Sequence, residues 1–362
     1  MRRTRSVIVI VLFALLLNLS MTSYVGSRAS DSEIMLVKIG YFDEIEWTDD
    51  VYVVDELAFV AGFFSGVLII DVSDPTNPTQ VGLYCDGGNA HELLIEGELA
   101  LVADGQDGLE IIDISNPSNP TEVGQYFDNS GIAIGVHVFE DLVFVADGLD
   151  GLEIIDIHDP TNPTELVQYN DGGGANDVDG VGDFIYVADW GYGVEIINVT
   201  DPLNPSELTQ YDRDISHLSV FGDLAFVMGG LDKLEILDIS DPANLTILGE
   251  YDDGGPAKDV FVVGDLAFVA DGEDGLKILD IDDPTNPIEL GHYDDGGEAS
   301  AVHVVGELIF VADGEGGLEI FKLDNETAAI PGFELPVVIF GLWAFVTVSI
   351  RKVRKKNKVC KV

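Results

Sequence analysis

Between residues 33 and 323 short apolar runs alternate with clusters of Gly, Asp and Pro. The runs are five to seven residues long and rich in Val, Ile and Phe, which predicts β-strands rather than helices. Leu99 to Ala103 is apolar at every position, as expected of a strand covered on both faces. One unit shows the grammar of the others. A first strand over 257–263 ends in the Gly264-Asp265 turn, a second over 266–270 meets the Asp271–Gly275 turn, and a third covers 276–281. The stiff Asp283-Pro-Thr-Asn-Pro287 connection leads to a fourth strand over 288–293, and Asp294-Asp-Gly-Gly297 opens the next unit. Glycine supplies positive φ at such turns, and proline fixes φ where no ladder donor is needed.

Aligning on the phrase Phe-Val-Ala and its variants places its valine at Val60, Val102, Val145, Val187, Val227, Val269 and Val311, spaced by 42, 43, 42, 40, 42 and 42 residues. A period near 42 with four strands per unit predicts an all-β fold, a seven-bladed β-propeller of antiparallel blades. Each blade stacks on two neighbours, and each large apolar side chain so buried contributes about 1.5–3 kcal/mol against the entropy of ordering. A tyrosine ends the fourth strand at Tyr84, Tyr126, Tyr169, Tyr211, Tyr251 and Tyr293, and Tyr41 is read as the seventh. The strand 35–42 that carries it has no blade of its own, whereas the last unit stops after three strands at Leu323. Pairing the two closes the ring and leaves no naked edge.

The third strands read Val67-Leu-Ile-Ile-Asp71, Leu109-Glu-Ile-Ile-Asp113, Leu152-Glu-Ile-Ile-Asp156, Val194-Glu-Ile-Ile-Asn198, Leu234-Glu-Ile-Leu-Asp238, Leu276-Lys-Ile-Leu-Asp280 and Leu318-Glu-Ile-Phe-Lys322. This series resembles the LVIVD repeat, and the resemblance implies a propeller module of bacterial and archaeal surface proteins to which no general biochemical activity is assigned. Asn198 and Lys322 depart from the pattern. Asn244-Leu245 replaces the usual Asn-Pro, which predicts a looser connection in blade 5.

The two ends read as addresses. Arg2, Arg3 and Arg5, the apolar run from Val7 to Leu17 and the small residues around Ser27-Arg28-Ala29 predict a cleaved signal peptide over 1–29. The propeller is then 30–324 and a linker 325–334. Residues 335–350 carry no charge and predict a transmembrane helix, and the basic tail 351–362 belongs on the cytoplasmic side. Pro331-Gly332-Phe333 ahead of that segment resembles the sorting tails of archaeal surface proteins; a plain membrane anchor is the alternative, and either tethers the propeller to the cell surface.

The net charge is −49, and the acids are concentrated. Residues 31–330 hold 65 acidic side chains against six basic ones. Such a surface repels phosphate backbones, so no nucleic-acid partner is expected, and it disfavours docking to anionic lipid. Two cysteines, Cys85 and Cys360, are too few for a disulfide framework.

Propeller geometry places the turns between second and third strands, together with the loops that enter each blade, on one face, here called upper. The membrane tail leaves from the opposite face, so the upper face is expected to point away from the cell. Ten residues before each anchor valine stand Asp50, Glu92, Gly135, Asp177, His217, Asp259 and Ala301. The four carboxylates of that ring, Asp50, Glu92, Asp177 and Asp259, are candidate ligands for a hard cation such as Ca2+, with solvated strand ends as the other reading. The turn Asp104–Gly108, echoed at Asp147–Gly151 and Asp271–Gly275, resembles a fragment of a calcium loop but is too short to be one, and reads as an ordinary hairpin turn. Aromatics replace charges at two turn tips, Phe63 and Phe64 in blade 1 and Trp190 and Tyr192 in blade 4, which are candidate partner contacts. Asn198, Asn244 and Asn325 head glycosylation acceptor patterns. Motifs for zinc, phosphate or serine-hydrolase chemistry are absent from the sequence. The sequence therefore predicts a non-catalytic protein- or glycan-binding or adhesion module on the cell exterior. A metal-dependent hydrolase or lyase at the channel mouth, using carboxylates and His217, and a structural surface-layer component are the alternatives.

Overall fold

The computed structural model describes residues 34–170, 172–229 and 233–324. The signal segment 1–29, the linker and transmembrane segments expected over 325–350, the basic tail and Asn325 all lie outside the described residues. Among those described, no helix is long and apolar enough to cross a membrane.

Seven four-stranded antiparallel sheets follow one another along the chain. Blade 1 is typical, with strands Asp50–Val54, Leu57–Ala61, Val67–Asp71 and Thr79–Tyr84 running from the axis outward. The innermost strands contact one another in sequence, and that of blade 7 (Ala301–Val305) returns to that of blade 1, so the ring is closed. Blade 7 takes its outermost strand from the start of the described chain. Leu36–Phe42 pairs antiparallel with Leu318–Leu323, from Leu36 opposite Leu323 to Phe42 opposite Leu318, with an irregularity between Lys38 and Gly40.

That register corrects one detail of the sequence alignment. Tyr84, Tyr126 and Tyr293 each face the first residue of their third strand, and Phe42, not Tyr41, faces Leu318 in the same way. A one-residue shift moves a side chain to the other face of a strand, so Phe42 is buried and Tyr41 is exposed. Blade 5 supplies a second correction. Asn244 N donates to Asp241 O at 2.8 Å, as Asn286 does to Asp283 at 2.9 Å, so its connection keeps the common turn without the second proline.

Packing explains why the inner strands are apolar throughout. Seven separate hydrophobic clusters lie one between each pair of neighbouring blades. In the cluster between blades 1 and 2, Phe59 and Ile69 meet Leu93, Val102 and Ile112. The residue before each anchor valine is the large buried one: Phe59, Leu101, Phe144, Tyr186, Phe226, Phe268 and Phe310. Glycine is required where blades come closest at the rim. A Cβ on Gly124 would sit 2.0 Å from the Pro160 carbonyl oxygen of the next blade.

Candidate functional site

The upper face is knitted together by its loops. The turn of one blade pairs with the loop entering the next, as Gly105 does with Ala133, Gly148 with Ala175 and Gly272 with Ala299. Three groups of side chains gather on this side.

The first is the channel ring. Asp50, Glu92, Asp177 and Asp259 line a cavity of about 630 Å³ on the axis, together with His91, His137, His217 and His303. The carboxylates are engaged by backbone rather than converging. Asp50 accepts from Leu93 N at 2.9 Å, Glu92 from Val136 N at 2.9 Å, Asp177 from Leu218 N at 2.8 Å and Asp259 from Val302 N at 2.8 Å. Each donor belongs to the following blade, so these acids staple neighbouring inner strands together. Burial, above all, raises them: Asp50 and Asp177 to about 7 and Asp259 to about 6, despite the N–H donors, while Glu92 is also raised. Among the described residues, the groups of three or more acids with ligand atoms within 4.8 Å of one another lie elsewhere. The histidines are similarly occupied. His303 lies between Tyr52 and Phe261, with burial lowering it to about 4, and His137 Nδ1 is 3.0 Å from Asp179.

The second group is a set of acid pockets that a turn-by-turn reading of the sequence misses. In blade 2 they are Asp86 from the entering loop, Asp104 from the turn and Glu110 from the third strand. Blade 3 gathers Asp128, Asp147 and Asp150; blade 6 Asp253, Asp271 and Asp274; blade 7 Asp295, Asp313 and Glu319. The signal was present in the spacing. The loop and turn acids of blades 2, 6 and 7 are 18 residues apart, and a strand acid follows six residues later in blades 2, 3 and 7. Burial and the adjacent acids push Asp104 to about 7, and burial with Asp86 beside it pushes Glu110 to about 10. In blade 6 the strand position is Lys277, whose ammonium meets Asp253 and, at 2.6 Å, Asp271. In blade 7 Lys38 from the closing strand reaches Asp295 at 2.8 Å and also Glu319.

The third group is the aromatics. Phe64 and Trp190 are 58% and 67% exposed, enough for each ring to face solvent, and Tyr192 is exposed as well. Phe63 is half-buried, edge-on to His91 at 5.0 Å, and held at φ 42°, a strained backbone conformation for a bulky side chain. The two pairs stand in blades 1 and 4 and make two patches, not one. Sequence reasoning missed Leu149, 77% exposed at the turn tip of blade 3, which flanks Gly174 together with Trp190 and extends the blade 4 patch. Asn244 is exposed, with its amide donating to Asp241, and Asn198 is half-buried at a strand end.

Comparison with known proteins agrees with this architecture. Among solved structures the chain is similar to the computationally designed Ika8 protein, with a TM-score of 0.61 at 8% identity over 79% of this chain and 99% of that one. It is also similar to BamB from Moraxella catarrhalis, with a TM-score of 0.56 at 13% identity over 83% of this chain and 94% of that one. At such identities the likeness is one of fold. No curated protein matches the chain. The family model described as the LVIVD repeat matches seven times in succession, at residues 47–86, 87–128, 130–171, 172–213, 212–253, 254–295 and 296–323. The chain belongs to the LVIVD-repeat family.

Proposed function

We propose that this propeller is a surface-anchored, non-catalytic interaction module whose upper face binds an extracellular protein or glycan. The observation that carries the reading is the exposure of Trp190, Leu149 and Phe64 at turn tips, where blades 2, 6 and 7 set Gln106, Glu273 and Glu315. Rigid, solvent-facing aromatic rings on a fixed scaffold anchor interfaces and stack on sugar faces at low entropic cost. The channel is less suited to chemistry, because its carboxylates already accept backbone N–H bonds that hold the blades. The apolar segment 335–350 and the basic cluster after it support anchoring with the propeller outside.

The test is binding of the full chain to isolated cell envelopes and to a glycan array. Changing Trp190 and Tyr192 to Ser, and separately Phe63 and Phe64 to Ser, is expected to weaken capture at least tenfold for the patch in use. Capture unchanged in both variants contradicts the contact surface. Turnover of an ester or glycoside library that survives the patch substitutions and disappears in His217→Ala would favour the channel instead.

A further inference from the structure

The acid pocket of blade 2 lacks something that those of blades 6 and 7 possess. Asp104 and Glu110 are 3% and 1% exposed, and their ligand atoms lie with that of Asp86 within 4.8 Å of one another. No hydrogen-bond donor among the described residues offsets the burial of the Asp104 carboxylate, which is aimed into the pocket. A buried, unpartnered carboxylate next to two more is costly unless a cation neutralises the group.

The same pocket elsewhere in the ring shows that cation. Lys277 places its ammonium among Asp253, Asp271 and Asp274, and Lys38 places its own on Asp295 and Glu319. In blade 5 the turn acid is Gly229 and the loop position is Arg213, and Glu235 lies 3.5 Å from Lys233. Blade 1 has Gly62 at the turn and Leu68 on the strand, so turn and strand acids are absent together. Blade 2 retains all its acids, yet residues 39–212 contain neither Lys nor Arg. No side chain of that stretch can supply the ammonium.

We infer that Asp86, Asp104 and Glu110 hold one divalent cation of the calcium type, in the place that an ammonium group fills in blades 6 and 7. Three carboxylates from three segments offer hard oxygen ligands without imposing an octahedron, with water completing the shell, which suits Ca2+ better than Mg2+. The pocket of blade 3 is a poorer candidate, because Ser130 N and Oγ already donate to the two oxygens of Asp128 at 2.7 Å. The inference is independent of the aromatic patches, and the site differs from the channel ring.

Equilibrium dialysis of the full chain against radioactive CaCl2, paired with melting in CaCl2, MgCl2 or chelator, tests it. Wild type is expected to bind Ca2+ in preference to Mg2+ and to melt at least about 5 °C higher in saturating CaCl2. Glu110→Lys should bind one ion fewer and lose part of that calcium-dependent rise, while melting in chelator no lower than wild type. Asp104→Asn, which preserves volume, should weaken the same site at least tenfold and serves if Glu110→Lys does not fold. Conversely, Lys277→Glu should gain one ion. Wild type that binds no Ca2+ at millimolar concentration overturns the inference, and so does a Glu110→Lys or Asp104→Asn protein with unchanged ion count and affinity.

Discussion

Blades 2 and 7 carry the same three acids at equivalent positions, and blade 7 adds the ammonium of Lys38. Glu110 and Glu319 occupy equivalent positions and are both almost wholly buried. Burial raises each, but only to about 7 for Glu319, where Lys38 pulls it down, against about 10 for Glu110. The contrast extends to halves of the ring. Residues 39–212 have 36 acids and no Lys or Arg, while 213–324 have 26 acids and five basic residues. A repeat fold can thus keep its geometry while neutralising its charge in different ways, by a lysine in one blade and by protons or a bound cation in another.

The largest effect expected from this contrast is on the filled pocket. Lys277→Met should cost about 3–5 kcal/mol by denaturant titration, since breaking a buried pair leaves its carboxylates uncompensated. A loss below about 1 kcal/mol would mean that the ammonium does little there. Next is the response to pH in chelator. The carboxyls of Asp104, Asp147 and Glu153 are raised to about 7, 7 and 8, chiefly by burial. Groups bound more tightly to protons in the folded state stabilise it below their unfolded values near 4, and lose that contribution as pH rises through the folded ones. Carboxyls held low, such as Asp86 and Glu289, act in the opposite sense but are shifted less. Melting temperature should therefore fall from pH 5 to pH 8; a rise would contradict the pocket electrostatics. Glu110→Gln, which stays neutral without the proton that buried Glu110 must hold, should stabilise the protein by about 1–2 kcal/mol in chelator at pH 8, with the opposite sign to Lys277→Met. The smallest effect concerns a neutral group of the lysine-free half. Tyr186 is fully buried with its hydroxyl unpartnered among the described residues, where blades 1, 3, 5, 6 and 7 have Phe. Tyr186→Phe should be stabilising by about 1 kcal/mol, and a clear loss would reveal a partner for the hydroxyl.

Much of the architecture was legible in the chain because stacking blades demand it. Inner strands covered twice have to be apolar throughout, and a ring has to find an outer strand for its last blade, so Val60 to Val311 and the strand 35–42 identified themselves. The slip from Phe42 to Tyr41 shows the limit: residue identity was aligned where pairing register decides. The channel ring was visible as a ring, but not its role, because the N–H groups that Asp50, Glu92, Asp177 and Asp259 bind lie one blade further along. The pocket of Asp86, Asp104 and Glu110 escaped for the same reason. Its members sit on three segments, and the Asp-Gly turn taken alone is what any hairpin would use.

The account rests on a ring closed by its first strand, which also delivers Lys38 to blade 7. Cysteines at Val37 and Lys322, directly opposite in the closing pair, test this most directly in a chain whose two native cysteines are serine. Mild oxidation should form an intrachain disulfide between them and none when the second cysteine is moved to Phe321. No cross-link in the first pair, or equal cross-linking in both, would contradict the closure.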